Sequence, residues 1–404
     1  MMVQTSFTAD TRGAAAPVAA PARIASIDIL RGIVVVLMAI DHVRVYSGLP
    51  AGGPTPGIFF TRWITHFVAP GFVFLAGTAA FLHGRKLGDR RKLSRFLLTR
   101  GLWLVLLELT VIRLAWTFNL DFSSYLLAGV IWVIGWSMVV LSGLVFLPVA
   151  AVAVFGLAVI AGHNIMDIVA RPHMDAISAS SFNWLWSLGY FAFEVGGDGP
   201  LVVLYSLVPW VGVMAAGYGF GIVFRLDASR RRRLCLQLGA GAVVLFIVLR
   251  ALNGYGDPRP WQASPSSVQT TLSFLNTSKY PASLLFLLMT LGPALLLLPF
   301  LERATGPTAR VLQVFGRVPM FYYLLHIPLI HLLAMGVSLL RTGSVSPWLF
   351  ENHPMGSGPP PPGYIWSLSL LYLVTAVAVA MLYVACRWFG KVKQNSRSTW
   401  LSYI

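Results

Sequence analysis

The sequence predicts an all-α integral membrane protein, a polytopic helical bundle of about ten transmembrane helices. Of its 404 residues, 57% are hydrophobic and only 11% are charged, and the mean hydropathy is +0.74. Apolar runs of roughly 20 residues, the length that crosses a bilayer, recur along the chain. This composition departs from that of soluble domains, so we expect a multi-pass protein whose main partner is the lipid bilayer.

The apolar segments divide the chain into one long membrane domain between two short tails. The predicted spans cover residues of about 27–48, 64–83, 97–117, 124–142, 144–162, 200–224, 234–252, 282–301, 312–340 and 364–386. Residues 1–22 are rich in Ala, Pro and Thr and lack the basic and apolar regions of a signal peptide. We therefore expect a disordered cytoplasmic tail over 1–22, a transmembrane domain over 23–390 and a cytoplasmic tail over 391–404.

Basic residues concentrate at one end of the predicted spans. The sequences GRKLGDRRKLSR, RLDASRRRR and RWFGKVKQNSR follow spans two, six and ten, whereas the loops at the other end are poor in Lys and Arg. The positive-inside rule then predicts that both termini are cytoplasmic. This asymmetry explains most of the net charge of +16, and no nucleic-acid motif accompanies it. Attraction of an anionic ligand or anionic lipid by the same cations stays open.

The first span carries ionisable side chains within hydrocarbon depth. The stretch RIASIDILRGIVVVLMAIDHVR places Asp28, Arg31, Asp41 and His42 on one predicted helix. Such groups are costly in lipid and usually face a bundle interior or a watery cavity, so they indicate a functional site. Arg31 and His42 are almost three turns apart on one face, a separation of roughly 16 Å, and Asp28 shares that face.

The second span adds a cation and a histidine to the same region. Arg62 and His66 lie four residues apart on one helical face, and Pro70 follows four residues later. Because Pro70 cannot donate to the carbonyl of His66, we expect the helix to bend there. A short loop between the first two spans would bring these side chains near Asp41 and His42, which predicts a polar pocket in the outer half of the membrane.

His42 is the candidate for proton transfer. A histidine near neutral pH can serve as a general base or as an acyl-accepting nucleophile, and the alternative is a structural hydrogen-bonding role. The side chain of Asp41 points about 100° away from that of His42 on a helix. We therefore expect Asp28 or an acid on another span to orient His42, or Asp41 to pair with Arg44 or Arg62.

The remaining polar residues of the spans suggest supporting roles. Glu108 is expected to form a structural ion pair with another span. At most one of His326 and His331 is expected to face the pocket, because five residues separate them by about 140° on a helix. That spacing is poor for a metal site, and Cys235 and Cys386 lie in no disulfide or zinc pattern, so no metal is predicted.

Three segments together resemble one family of bacterial membrane proteins. The segments RIASIDILRG, THFVAPGFVFLAG and FGRVPMFYYLLHIPLIH are similar to the catalytic-domain-like family of heparan-alpha-glucosaminide N-acetyltransferase. The resemblance covers nearly all of the chain from Arg23 to the last predicted span. More distantly, the RG motif and the histidine that follows resemble the acyltransferase-three family, whose essential histidine corresponds to His42 and whose arginine corresponds to Arg31. At the position of the active histidine of the lysosomal enzyme, this chain has Pro56.

The resemblance implies transfer of an acyl group, in the first instance acetyl, from cytoplasmic acyl-CoA to an acceptor on the outer side, commonly a sugar or glycan. The donor substrate would then be acetyl-CoA, and the location the cytoplasmic (inner) membrane of a bacterium. We assign His42, Asp41 and His66 to catalysis, Arg31 and Asp28 to donor binding, and Arg62 and His326 to acceptor binding. Whether the chain forms a homo-oligomer stays open, as does the choice between direct transfer and an acyl-enzyme.

Two other classes of function fit the same residues. A multi-span transporter or proton-coupled permease would use the intramembrane charges as a translocation path, without covalent chemistry. An accessory membrane subunit would use them only to stabilise helix packing. Replacement of His42 distinguishes these hypotheses, because only an enzyme loses a covalent product.

Overall fold

The computed structural model describes residues 24–53, 55–179, 188–189, 200–396 and 401. Within these residues the chain is mostly helical, which confirms the prediction of an all-α protein. The predicted tail over residues 1–22 lies outside the described part. Residues 391–395 of the predicted C-terminal tail continue the last helix.

The helices of the described residues follow the predicted spans with shorter helices between them. In chain order, α1 to α16 are Ala25–Ser47, Pro56–Trp63, Val68–Leu87, Arg90–Leu107, Arg113–Thr117, Val130–Leu144, Val149–Gly162, Ile165–Val169, Met174–Ser178, Leu207–Phe220, Ala228–Leu252, Ser267–Leu275, Leu284–Leu301, Pro307–Arg317, Pro319–Thr342 and Leu368–Asn395. Two short strands, β1 (Leu126–Ala128) and β2 (Leu201–Val203), form a parallel pair. The sequence did not predict these strands, which occupy the starts of predicted spans four and six.

Seven helical segments of the described residues are long and apolar enough to cross a membrane. They are Pro56–Leu87, Val149–Val169, Leu207–Arg225, Ala228–Leu252, Leu284–Leu301, Pro319–Thr342 and Leu368–Asn395. The other three predicted spans correspond to α1 and α4, which carry charged residues, and to α6, which is apolar but has only 15 residues. The total of ten spans and the N-in, C-in orientation remain predictions.

Helix α1 lies inside the bundle and packs on α3, α14, α15 and α16. Two glycines allow its backbone to approach that of α14 closely. A Cβ atom at Gly32 would overlap the carbonyl of Leu312, and one at Gly316 would overlap the carbonyl of Asp28. Small residues at such contacts let membrane helices associate through backbone packing. The RG motif of the first span therefore has a packing role beside any chemical one.

Predicted span nine is two helices. Helix α14 ends at Arg317 and α15 begins at Pro319, whose ring nitrogen has no hydrogen to donate, and Val318 between them has a non-helical backbone. Helix α14 is thus a separate helix, and it packs closely against α1. Near the expected bend at Pro70, a 3₁₀ segment, Ile64–Phe67, separates α2 from α3, and the bend itself remains a prediction.

Glu108 caps a helix and, among the described residues, forms no ion pair. Its Oε2 accepts hydrogen bonds from the backbone N–H groups of Ile131 and Trp132, at 2.8 and 3.2 Å, in the first turn of α6. The prediction of a structural ion pair was wrong because the unpaired N–H groups of a helix start satisfy a carboxylate as well as a cation does. Glu108 is thus a structural residue.

Candidate active site

The imidazoles of His42 and His326 are in direct contact in the bundle interior. His42 Nδ1 lies 2.7 Å from His326 Nε2. The ring centroids are 4.8 Å apart and the planes differ by 23°. This is an edge-to-edge arrangement, as an N–H···N hydrogen bond requires. His326 on α15 is 0% exposed, whereas His42 on α1 is partly exposed.

Backbone carbonyls fix the direction of this hydrogen bond. His326 Nδ1 lies 2.6 Å from the carbonyl oxygen of Tyr323 and 3.2 Å from that of Tyr322. A carbonyl only accepts, so Nδ1 carries the hydrogen of a neutral His326, and its Nε2 must accept. His42 Nδ1 is then the donor, and His42 Nε2 keeps a lone pair. Within the described residues, no hydrogen bond reaches His42 Nε2.

Aromatic side chains hold the His42 ring from another side. The Trp116 ring lies 4.7 Å from that of His42 at 65°, an edge-to-face contact. Tyr46, one turn after His42, packs on Trp116 at 5.6 Å and donates its hydroxyl to the Trp116 carbonyl at 2.6 Å. His42 is therefore held both by its hydrogen bond and by ring packing.

Asp41 belongs to a separate ionic network. Its Oδ1 accepts from Arg44 Nε at 3.1 Å, which confirms the predicted pairing with Arg44. Its Oδ2 lies 3.8 Å from Nζ of Lys279, a residue of the loop before α13. The expectation that an acid orients His42 was wrong, because a second imidazole occupies that position. Asp41 acts on His42 through its charge and not through contact.

Arg62 and His66 lie close to this network, as the sequence predicted. The charge of Asp41 acts on both side chains, and those of Arg62 and Lys279 act on His66. His66 is only 2% exposed, and neither ring nitrogen has a hydrogen-bond partner among the described residues. Its ring packs edge-to-face on Phe286 at 5.4 Å.

Arg31 lies at a cavity near the other end of α1. It forms an ion pair with Asp28 at 3.6 Å. The cavity has a volume of about 440 Å³, within the range of small-molecule sites. Its polar lining residues include Arg31, His83 and Arg100, and the remaining wall is mostly apolar side chains of α3, α4, α6 and α15.

Tyr323 connects the cavity with the histidine pair. It lines the cavity, its carbonyl accepts from His326, and its ring centroid lies 5.2 Å from that of His326. Arg31 and His42 are eleven residues apart on α1, roughly 16 Å along the helix axis. The cavity at Arg31 thus lies towards the start of α1, whereas the polar network around Asp41 adjoins His42 near the end of that helix.

Sequence reasoning missed three residues of this region, Lys279, Trp116 and Tyr323. Lys279 did have a signal, because a lysine is unusual in a predicted outer loop. Trp116 and Tyr323 lie in apolar runs, where an aromatic residue is common and does not indicate a functional site. Within the described residues, no group of three or more His, Cys, Asp or Glu side chains is arranged to hold a metal ion.

Apolar helices packed around an interior site of histidines and charged side chains define a multi-pass membrane protein with an enzyme-like centre. Residues 23–252, more than half of the chain, match the family described as heparan-alpha-glucosaminide N-acetyltransferase, catalytic. The chain belongs to this family, which confirms the resemblance and makes it a member of a family of membrane acetyltransferases. No curated protein gave a match. The matched segment contains His42, whereas His326 lies beyond it.

Proposed function

We propose that this protein transfers an acetyl group from acyl-CoA at the cytoplasmic side to a hydroxyl or amine of a sugar-like acceptor at the outer side, with His42 as general base. The observation that carries the proposal is the directed chain from His42 Nδ1 through His326 to the Tyr323 carbonyl. It leaves the lone pair on His42 Nε2, the atom that a general base uses.

The chemistry requires two proton transfers at that atom. His42 Nε2 removes the proton of the acceptor as its oxygen or nitrogen attacks the thioester carbonyl. The new C–O or C–N bond forms, the C–S bond breaks, and the thiolate leaves with the electron pair. The proton then passes from His42 to the thiolate. His326 still accepts from Nδ1 of the charged His42, and Asp41 offsets its charge.

We place the donor in the cavity that Arg31 lines. Arg31, Arg100 and His83 would bind phosphate oxygens of the donor, since guanidinium groups recognise phosphate well. The apolar wall suits the pantetheine chain, and the Tyr323 side of the cavity leads towards the histidine pair. The basic ends of the helices favour a cytoplasmic donor and, with it, the cytoplasmic membrane of a bacterium.

His326 takes a different role here from the acceptor binding that the sequence suggested. It is fully buried and its two ring nitrogens are used by His42 and by the backbone, so we propose it as a positioning residue for His42. Arg62 keeps its proposed place at the acceptor side, and we propose His66 beside it there instead of in the catalytic role that the sequence suggested. Asp28 keeps a place beside the donor, where it pairs with Arg31.

The test is acetyl transfer from radiolabelled acetyl-CoA to a panel of amino and neutral sugars by the purified protein in nanodiscs. His42→Gln keeps a hydrogen-bonding side chain but has no basic nitrogen, so we expect a loss of roughly 10²- to 10⁴-fold in kcat. The matched control is His163→Gln, because His163 is also buried and its Nε2 contacts the Ala282 carbonyl. Full turnover by His42→Gln would refute the proposal, and substrate flux without acetylated product would favour a transporter.

A further inference from the structure

Arg62 is a half-buried cation whose guanidinium has no partner in the part of the chain that the structure describes. Among the described residues its guanidinium forms no hydrogen bond and no ion pair, although Asp41 is close enough for its charge to act on Arg62. Removing a guanidinium from water without a partner costs free energy. The five N–H donors of Arg62 are therefore available to a ligand that accepts hydrogen bonds.

Lys279 and Arg44 add two more cations around the same carboxylate. Lys279 is 5% exposed, and its 3.8 Å distance to Asp41 is longer than a normal hydrogen bond. Arg44 occupies the other oxygen of Asp41 at 3.1 Å. Arg44, Arg62 and Lys279 together carry three positive charges against the single negative charge of Asp41, an excess of two.

His66 provides a second, independent sign of a missing ligand. It is buried, both ring nitrogens lack partners, and the charges of Arg62 and Lys279 act on it. A buried imidazole normally forms at least one hydrogen bond. An anion at this position would accept a hydrogen bond from His66. It would also neutralise the excess of positive charge.

The cluster is open on the side of Asp41, Arg44 and Arg62, and it is close to His42. Asp41, His42, Arg44 and Arg62 are all partly exposed, while Ala39 and Val43 on the same helix are fully buried. The charges of Lys279 and Arg44 also act on His42. A ligand bound by these cations would thus lie close to the His42 side chain.

We propose that Arg62, Lys279 and His66 bind an anionic group of the acceptor, a carboxylate, sulfate or phosphate that neighbours the acetylated hydroxyl or amine. This inference rests on the proposed acyl transfer and specifies the acceptor. The anion holds the acceptor so that its nucleophilic atom faces His42 Nε2. Two sources supply such a group, a soluble sugar derivative or the headgroup of a lipid-linked acceptor.

The first experiment measures binding without any turnover. Sodium sulfate is titrated by calorimetry, at constant ionic strength, into the protein in nanodiscs of neutral phosphatidylcholine. We expect saturable binding that weakens at least 10-fold in Arg62→Gln and in Lys279→Gln. Arg232→Gln is the matched control, because it removes the same charge from the exposed basic start of α11. Two variants are used in case one of them does not fold. Absence of binding, or equal binding by wild type and both cluster variants, would overturn the inference.

A second arm separates the two sources of the anion. Nanodiscs that contain anionic phosphatidylglycerol should abolish sulfate binding if a lipid headgroup fills the cluster, and should leave it unchanged if the acceptor is soluble. Either result supports an anion site. Thermal stabilisation by phosphatidylglycerol that is the same in Arg62→Gln as in wild type would argue against headgroup binding at the cluster.

The third arm links the anion to catalysis. Glucosamine 6-sulfate and glucosamine differ only in the anionic group, and we expect wild type to prefer the sulfated sugar by at least 10-fold in kcat/KM. In Arg62→Gln this ratio should approach one. Transfer to both sugars without preference, together with no sulfate binding, would overturn the anionic acceptor and leave acyl transfer intact. Sulfate binding that needs Arg62, with no transfer to any sugar, would uphold the anion site and overturn acyl transfer.

Discussion

His42 and His326, 284 positions apart in sequence, share a 2.7 Å hydrogen bond whose direction is set by the carbonyl of Tyr323. An orienting carboxylate would hold His42 through a negative charge, whereas a neutral imidazole holds it through a directed lone pair alone. The arrangement therefore selects one tautomer of the partly buried His42 without adding a further charge.

Loss of the Nε2 lone pair of His326 should lower kcat more than it weakens the binding of acetyl-CoA. In His326→Leu, His42 has no acceptor for Nδ1 and can rotate or change tautomer. Because small misplacements of a catalytic group are costly, we expect kcat to fall roughly 10- to 100-fold, with little change in the KM for acetyl-CoA. Steady-state kinetics in nanodiscs measures both constants.

His326→Gln is the companion variant for this prediction. Its carboxamide oxygen can accept from His42, so it should recover part of the kcat that His326→Leu loses. A merely structural role would give no such rescue. Equal kcat in His326→Leu, His326→Gln and wild type would contradict the positioning role.

The sequence predicted local relationships well and long-range ones poorly. The pairing of Asp41 with Arg44 and the departure from α-helix near His66 depend on helical spacing and on proline chemistry, which are visible in the chain. The contact of His42 with His326 depends on how α1 packs against α15, which spacing does not specify.

Two further features needed the packed structure. Lys279 reaches Asp41 from a loop 238 positions away, a contact that no sequence pattern fixes. The strands β1 and β2 are three residues each, too short for an alternation pattern, and pair across 75 positions of sequence. Both cases are tertiary contacts. The local sequence indicated a loop at Lys279 and membrane-spanning helices at β1 and β2.

Arg31 should determine affinity for the donor. A hydrogen bond between a guanidinium and a phosphate contributes about 1.5–3 kcal/mol, so Arg31→Gln should weaken acetyl-CoA binding by roughly 10- to 100-fold. Calorimetry with the purified protein measures this directly. Arg232→Gln is again the control, because Arg232 is exposed and does not line the cavity. Unchanged binding by Arg31→Gln would place the donor elsewhere.

Addition of a single methyl group at Gly316 should lower the stability of the protein. A Cβ atom there would overlap the backbone carbonyl of Asp28, and neither helix backbone can yield as a side chain can. We expect Gly316→Ala to destabilise the protein by about 1–3 kcal/mol and to lower its melting temperature. Gly336→Ala, where a Cβ meets no atom within 4 Å, should leave the melting temperature unchanged or raise it. Equal melting temperatures for the two variants would contradict the close packing of α1 and α14.

The loop between α15 and α16 should lose stability in acid because of His353. This side chain is 1% exposed, its Nε2 contacts the Trp348 carbonyl at 2.9 Å, and its Nδ1 has no partner among the described residues. Burial lowers the pKa of His353 from 6.5 to about 4. The neutral form is thus favoured on folding, and its stabilisation is complete above pH 6.5 and is lost as the pH falls towards 4. The loss at pH 4 is at most about 3 kcal/mol.

His353→Gln isolates this contribution from the other histidines. Glutamine can still donate to the Trp348 carbonyl but takes up no proton in this range. Melting temperatures in detergent at pH 7.5, 6.0 and 4.5 should therefore fall less steeply with acid in His353→Gln than in wild type. At pH 7.5 the two proteins should differ little, because His353 is neutral there. Parallel melting curves for both proteins across the whole range would mean that His353 does not couple protonation to folding of this loop.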